Sequence, residues 1–121
     1  MKVIIADDSS TIRRILENML TSIGYTDLLQ ADGGDVVIEL LSQHDDVGLI
    51  LMDWNMPVMN GLDCLRAIRA NPQTGAIPVI MVTSEALRER IVEAIQCGAN
   101  GYLMKPFDVE KLKKAVAGIV K

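Results

Sequence analysis

Apolar residues fall along this chain in two alternating rhythms. Val3-Ile4-Ile5-Ala6, Leu49-Ile50-Leu51-Met52 and Val79-Ile80-Met81-Val82 run without a polar interruption, the pattern of short strands covered on both faces. Between them, apolar positions recur at helical spacing. Ile12, Ile15, Leu16, Met19, Leu20 and Ile23 follow Asp7-Asp8-Ser9-Ser10 and end at Gly24, which predicts a helix with a serine or aspartate cap and a glycine stop. Val36, Val37, Leu40 and Leu41 predict a second helix over residues 35–41, and residues 62–69 a third, closed by Asn71-Pro72. Residues 85–96 predict a fourth, stopped by Gly98. Asp108 caps a fifth, with Val109, Leu112, Val116 and Val120 on one side and Lys111, Lys113 and Lys114 on the other. Two further strand signals lie at Asp27-Leu28-Leu29-Gln30-Ala31 and Gly101-Tyr102-Leu103-Met104.

Strands and helices therefore alternate strictly, five of each, with no linker, repeat or low-complexity segment. Right-handed crossovers turn that alternation into an α/β fold with helices on both faces of a parallel sheet. The predicted architecture is one domain over residues 1–121, a flavodoxin-like (βα)5 fold with a doubly wound five-stranded sheet. The order 2-1-3-4-5, one of the usual ones for such sheets, puts the most apolar strands in the middle. Ligands of these folds gather outside the carboxyl ends of the strands where strand order reverses, here between strands one and three.

Composition narrows the classes of function. A chain of 121 residues builds one core, and a net charge of −4 argues against nucleic acid, whose binders carry basic patches. No apolar run reaches the length of a membrane span, and Met1-Lys2-Val3-Ile4-Ile5 does not read as a leader. A cytoplasmic monomer without membrane partners is expected. Cys64 and Cys97 lack a second cysteine or histidine at ligand spacing, so both read as small, partly buried hydrophobes. His44, in the polar run Ser42-Gln43-His44-Asp45-Asp46, reads as a surface loop residue.

The strand ends carry the chemistry. Asp7 and Asp8 follow strand one, Asp53 follows strand three, Thr83 ends strand four and Lys105 follows strand five. Three carboxylates on one edge repel unless a cation intervenes, and oxygen ligands without histidine or cysteine select a hard ion such as Mg²⁺. Such an ion keeps positions for phosphate oxygens, and a hydroxyl and an ammonium can pair the remaining ones. Asp53 then reads as a nucleophile that forms an acyl phosphate, with Asp7 and Asp8 holding the metal and with Thr83 and Lys105 facing the transferred group.

Asp7-Asp8, Asp53, Thr83 and Lys105-Pro106 resemble the signature positions of response-regulator receiver domains, and the match runs over essentially the whole chain. Asp53-Trp54-Asn55-Met56-Pro57, Asn60-Gly61-Leu62, Thr83-Ser84-Glu85 and Gly98-Ala99-Asn100-Gly101-Tyr102 are most similar to the stand-alone chemotaxis regulators of that family. The resemblance implies that Asp8, Asp53 and the backbone carbonyl of Asn55 bind Mg²⁺, with Asp7 acting through water. It implies a histidine kinase or a small acyl phosphate as donor, which agrees with the lack of a Gly-rich phosphate loop. It makes Lys105-Pro106 a candidate cis bond. It also implies a switch in which Thr83 moves toward the phosphoryl group, Tyr102 fills the space, and the surface of helix four, strand five and helix five changes for an output protein, a flagellar motor component being the natural guess.

Other side chains follow from these roles. Leu87, Ile91 and Ile95 form an apolar stripe on helix four with Val92 set round from it; most of this stripe is expected in the core, with one edge open to a partner. Glu85 and Asn55 lie near enough to tune hydrolysis, for which a phosphatase is a further partner. Trp54 is expected partly open beside the pocket, and Met56 and Met59 exposed around Pro57. The chain is thus read as a phosphoacceptor, not an enzyme acting on other substrates. Competing readings are a haloacid-dehalogenase-type phosphatase, which needs a second acid where Asn55 stands, a flavin carrier, which needs amides where Asp7-Asp8 stand, and a receiver acting as a phosphorylation-independent scaffold or phosphate sink.

Overall fold

The structure, a computed structural model, describes residues 1–84 and 88–119. Its elements run β1 Lys2–Ala6, α1 Ser10–Ser22, β2 Asp27–Ala31, α2 Gly34–Gln43, β3 Val47–Met52, α3 Gly61–Ala70, β4 Val79–Thr83, α4 Arg88–Gln96, β5 Gly101–Met104 and α5 Val109–Ala117. All strand pairs are parallel and the sheet order is β2-β1-β3-β4-β5. The doubly wound α/β sheet read from the sequence is therefore observed. Glu85, Ala86 and Leu87 of the fourth helical pattern, and Val120 of the fifth, lie outside the described residues.

Alternation along each strand divides the core in two. Val3, Ile5, Leu49, Leu51, Ile80, Val82 and Leu103 face α1 and α5, where Leu16, Leu20, Leu112 and Val116 meet them. Ile4, Ala6, Ile50, Met52, Val79 and Met81 face α2, α3 and α4. Both faces of β1, β3 and β4 are thus dry, which is why these strands lack polar alternation. Each fully buried Ile or Leu contributes about 1.5–3 kcal/mol against the entropy of ordering the chain.

The caps act as their residue types dictate. Ser9 accepts from the Ile12 N–H at the start of α1, Asn60 from Asp63 at α3, and Asp108 from Lys111 at α5. Gly24, at φ 104°, takes the left-handed conformation that lets the chain leave α1. At the amino ends of β4 and β5, Arg69 of α3 donates to the Ile77 and Gly98 carbonyls and to Asn100 Oδ1, which also accepts the Val79 N–H. This guanidinium ties α3 to the loops entering β4 and β5, a tie that helical spacing alone does not show.

Three expectations about side chains are corrected. Trp54 is buried, at 3% exposure, and the Arg90 guanidinium lies 5.3 Å from its ring centroid; an apolar ring beneath α4 gains more from packing and from the cation over its face than from standing open. Met56 is buried and Met59 half-buried, because the loop after β3 folds against α2 instead of into solvent. On α4 the buried residue is Ala94, whereas Val92 and Ile95 are 44% and 50% exposed and Ile91 is half-buried. Ala94 is the residue that α4 turns toward the core, and Val92 and Ile95 point away from it at helical spacing.

Candidate functional site

The carboxyl ends of β1, β3, β4 and β5 converge on one polar cluster. Asp53 follows β3 and its N–H donates to the Ala6 carbonyl at 2.9 Å, so the two central strand ends are bonded at the point where the acids emerge. Asp7 extends the ladder on the other side, donating to the Ala31 carbonyl at 3.0 Å. The carboxylates of Asp7, Asp8 and Asp53 supply oxygens that all lie within 4.8 Å of one another. Asp7 and Asp53 are buried and Asp8 is exposed.

Lys105 reaches back across the sheet edge. Its Nζ is 2.7 Å from Asp7 Oδ2 and 3.4 Å from Asp53 Oδ2. The Lys105 N–H continues the β4–β5 pairing by donating to the Thr83 carbonyl at 3.0 Å, which fixes where the lysine side chain starts. The Lys105-Pro106 peptide bond is cis. Burial alone would make the ammonium more acidic, but the hydrogen bond to Asp7 and the charges of Asp53 and Asp7 outweigh it and hold its pKa above the ordinary value.

Asp53 is held at both oxygens. Oδ1 accepts the Trp54 N–H at 2.8 Å and Oδ2 faces Lys105. Burial and the neighbouring Asp7 charge push its pKa up, and Lys105 and the Trp54 N–H only partly oppose this. A raised carboxyl pKa means that the native state holds a proton more tightly than the unfolded chain. Stability therefore falls as pH rises from the ordinary value of 3.8 through the raised one, and above that window the penalty is fully present. Asp53→Asn is expected to stabilise the metal-free protein at neutral pH by on the order of 1 kcal/mol, a few degrees in Tm. The gain should disappear in acid below the ordinary carboxyl value; thermal melts of both proteins across pH check the sign.

The loop after Asp53 is closed tightly. The Gly61 N–H donates to the Trp54 carbonyl at 2.8 Å, so α3 begins directly against the acceptor peptide. Val58 has φ 67° in a three-residue turn closed by the Met59 N–H on the Pro57 carbonyl at 2.7 Å. A branched residue in the left-handed region is strained. The Gly34 N–H, donating to the Met59 carbonyl at 3.0 Å, anchors this turn to the start of α2.

The structure thus brings Asp7, Asp8, Asp53 and Lys105 together, with Thr83 fully buried at the end of β4 and exposed Asn55 two residues beyond Asp53. Tyr102 pairs with Met81, two residues from Thr83, so Tyr102 and Thr83 share the face of the sheet that α4 covers. Glu85 lies outside the described residues. Gly61 was legible in the sequence only as part of an Asn-Gly turn; its contact with the acceptor peptide is a packing fact. Cys64 is buried, its pKa pushed up to about 12 by burial and by the Asp35 charge, so it is no nucleophile.

When ionised, three carboxylates against one ammonium leave two negative charges in a pocket of oxygen donors. That is the charge and donor set of a divalent hard cation, and the residues present fit one. No helix is long and apolar enough to cross a membrane among the described residues.

Comparison with known proteins places this geometry in context. Residues 3–117 match the response regulator receiver domain family. The chemotaxis protein CheY of Pseudomonas aeruginosa is 44% identical over 119 residues, covering 98% of this chain and 95% of that protein. Among solved structures, chemotaxis protein CheY4 of Vibrio cholerae aligns with a TM-score of 0.91 at 33% identity over 98% of both chains. The receiver domain of a sensor histidine kinase from Pseudomonas aeruginosa, solved with a magnesium ion coordinated in its active-site cleft, aligns with a TM-score of 0.84 at 29% identity over 93% of this chain and 91% of that one.

Proposed function

The chain belongs to the response regulator receiver family, and from that premise we propose that it accepts a phosphoryl group on Asp53 from a histidine kinase or a small acyl phosphate. The observation that carries the proposal is the placement of Asp53: buried, held by the Trp54 N–H, and faced by the Lys105 ammonium across the same cluster that contains Asp7 and Asp8. A carboxylate oxygen of Asp53 attacks phosphorus; the bond from phosphorus to the donor's imidazole nitrogen, or to its acyl oxygen, breaks, and the donor leaves with the electron pair. Lys105, already bonded to Asp7 and near Asp53, pairs an oxygen of the transferred group, and the Thr83 hydroxyl pairs another. Asp8, Asp53 and the Asn55 carbonyl would hold Mg²⁺, with Asp7 acting through water. The ion supplies charge neutralisation to the oxygens of the transferring group.

The donor's reactive atom must come within about 3–3.5 Å of Asp53. Its surface then covers the rim of the pocket, where Ile12, Ile15, Ser84, Pro106 and Phe107 line a largely apolar groove of about 320 Å³ next to Lys105. A protein donor can bury that groove.

Output follows from the shared face of Thr83 and Tyr102. A phosphoryl group gives the Thr83 hydroxyl a new acceptor, and a shift of Thr83 changes the space open to Tyr102 on the next strand. Exposed Val92 and Ile95 on α4 and Met104 on β5 leave apolar groups open near this face, the kind of group that a protein partner buries. Kinship with chemotaxis regulators makes motor control the pathway proposed, with the chain working as a single domain in the cytoplasm. Incubation with a small acyl phosphate and Mg²⁺, followed by intact-mass measurement, should add one phosphoryl group to the native protein and none to Asp53→Asn. No addition to either would support a scaffold that signals by binding alone.

A further inference from the structure

Among the three acids of the cluster, Asp8 is the one whose side chain no group holds among the described residues. Asp7 Oδ2 is bonded to Lys105 and Oδ1 accepts the Ser9 N–H at 2.9 Å; Asp53 is held by the Trp54 N–H and Lys105. The Asp8 carboxylate is exposed and accepts no hydrogen bond among the described residues. What the protein fixes is therefore the point from which this side chain starts, its Cα and Cβ, and the peptide that places them is the one joining Asp7 to Asp8.

That peptide is gripped from α1. Arg13 Nη1 donates to the Asp7 carbonyl at 2.6 Å, and Arg13 Nε donates to Gln30 Oε1 on β2 at 3.1 Å. Gln30 is in turn bonded through its Nε2 to Glu17, one helical turn beyond Arg13 on the same face of α1. The guanidinium is thus fixed at two nitrogens, and its fork cannot turn away from the Asp7 carbonyl without breaking the bond to β2. On the other side of Asp7, the bond from its N–H to the Ala31 carbonyl completes the clamp. Both bonds of β2 to this region come from consecutive residues, Gln30 and Ala31. With its carbonyl and its N–H both bonded, the backbone at Asp7 is restrained on either side, and with it the point from which the Asp8 side chain leaves the strand.

We propose that Arg13 is a positioning residue of the metal site, which aims the Asp8 carboxylate at the cation through the Asp7–Asp8 peptide and is itself braced by Gln30 and Glu17. The inference rests on the divalent-cation reading of the cluster. Its sign separates it from electrostatics. Arg13 is a cation near a cation site, so removing its charge should by Coulomb's law tighten Mg²⁺ binding. Loss of aim should weaken it, and outer contacts that orient metal ligands typically carry about tenfold or more in affinity.

The test is calorimetric titration of Mg²⁺ into the native protein, Arg13→Gln, Arg13→Lys and Gln30→Leu, with thermal melts of each in chelator. Arg13→Gln is expected to weaken Mg²⁺ by about tenfold, and Arg13→Lys, which keeps the charge without the fork, by a similar factor. Gln30→Leu, which touches none of the acids and leaves Arg13 in place, should weaken it by a smaller factor. A general structural role would move the melting temperature in chelator without this order in affinity. Unchanged or tighter binding in Arg13→Gln, or in Arg13→Lys and Gln30→Leu together should Arg13→Gln fail to fold, overturns the inference. Absence of Mg²⁺ binding by the native protein instead overturns the metal-site reading beneath it.

Discussion

Lys105→Met is expected to destabilise the metal-free protein by about 2–3 kcal/mol at neutral pH. That is somewhat less than breaking a fully buried ion pair costs, because 18% of the lysine side chain remains open. The physical reason is the pair it leaves behind. Asp7, 1% exposed at its side chain, and Asp53 would face each other with no ammonium between them, and the proton affinity of Asp53 would rise further. Because the Lys105 pKa is raised in the native state, its contribution is present in full below the ordinary lysine value and lost only as pH rises through the raised one. The deficit of the variant should accordingly persist through neutral pH, shrink in strong alkali as the native ammonium loses its proton, and shrink in acid as Asp53 takes one up. Mg²⁺ should stabilise the variant more than the native protein, since the ion replaces the missing charge. Acceptance of the phosphoryl group should still slow by about 10²-fold, the scale on which a positioned donor to a developing charge acts. Melts with and without Mg²⁺ check the first claim and single-turnover phosphorylation the second. Equal stability in chelator would mean that Lys105 does not bind the acids in solution.

Gly61→Ala should be the most damaging single methyl in the molecule. A Cβ at this position would sit 2.1 Å from the Asp53 carbonyl oxygen and 2.9 Å from Met81 Cε. The methionine could move, but the carbonyl belongs to the peptide that carries the acceptor and is held on its other side by the Asp53 N–H on Ala6. α3 must therefore retreat, at the cost of the Gly61 N–H bond to Trp54. About 3 kcal/mol of destabilisation is expected, at the upper end of overpacking effects. Gly24→Ala is a useful contrast, because its Cβ would meet nothing within 4 Å and only its φ of 104° opposes the change; about 1 kcal/mol is expected there. Urea unfolding of both variants tests the ranking, and similar costs for the two would show that α3 does not start against the acceptor peptide.

The fold was legible because its strands are so uniformly apolar. With both faces of β1, β3 and β4 dry, no polar residue can interrupt Val3 to Ala6, Leu49 to Met52 or Val79 to Val82 without being buried, and the sequence therefore announces each central strand. The site was legible for the complementary reason: charged groups that immediately follow such strands can lie only at the rim of the sheet, so Asp7, Asp8, Asp53 and Lys105 could be placed on one edge before any contact was known. Trp54 and α4 were misjudged because local pattern says which residues are apolar and not how close two elements come. α4 turns Ala94 inward and Val92 and Ile95 outward, while the ring of Trp54 finds cover under Arg90. Arg13, Arg69 and Gly61 act on backbone carbonyls, and nothing in residue spacing marks a carbonyl as a partner.

The central claim is that Asp53 carries the phosphoryl group, and locating the group tests it most directly. Protein phosphorylated by a small acyl phosphate should be reduced with borohydride, which converts an acyl phosphate to the alcohol, and then digested and sequenced by tandem mass spectrometry. Homoserine is expected in place of Asp53, with no change at Asp7 or Asp8 and with loss of the added mass on treatment of an unreduced sample with hydroxylamine. A modification that survives hydroxylamine, or one found on His44, on a hydroxyl residue or on either neighbouring aspartate while Asp53 remains intact, would contradict it.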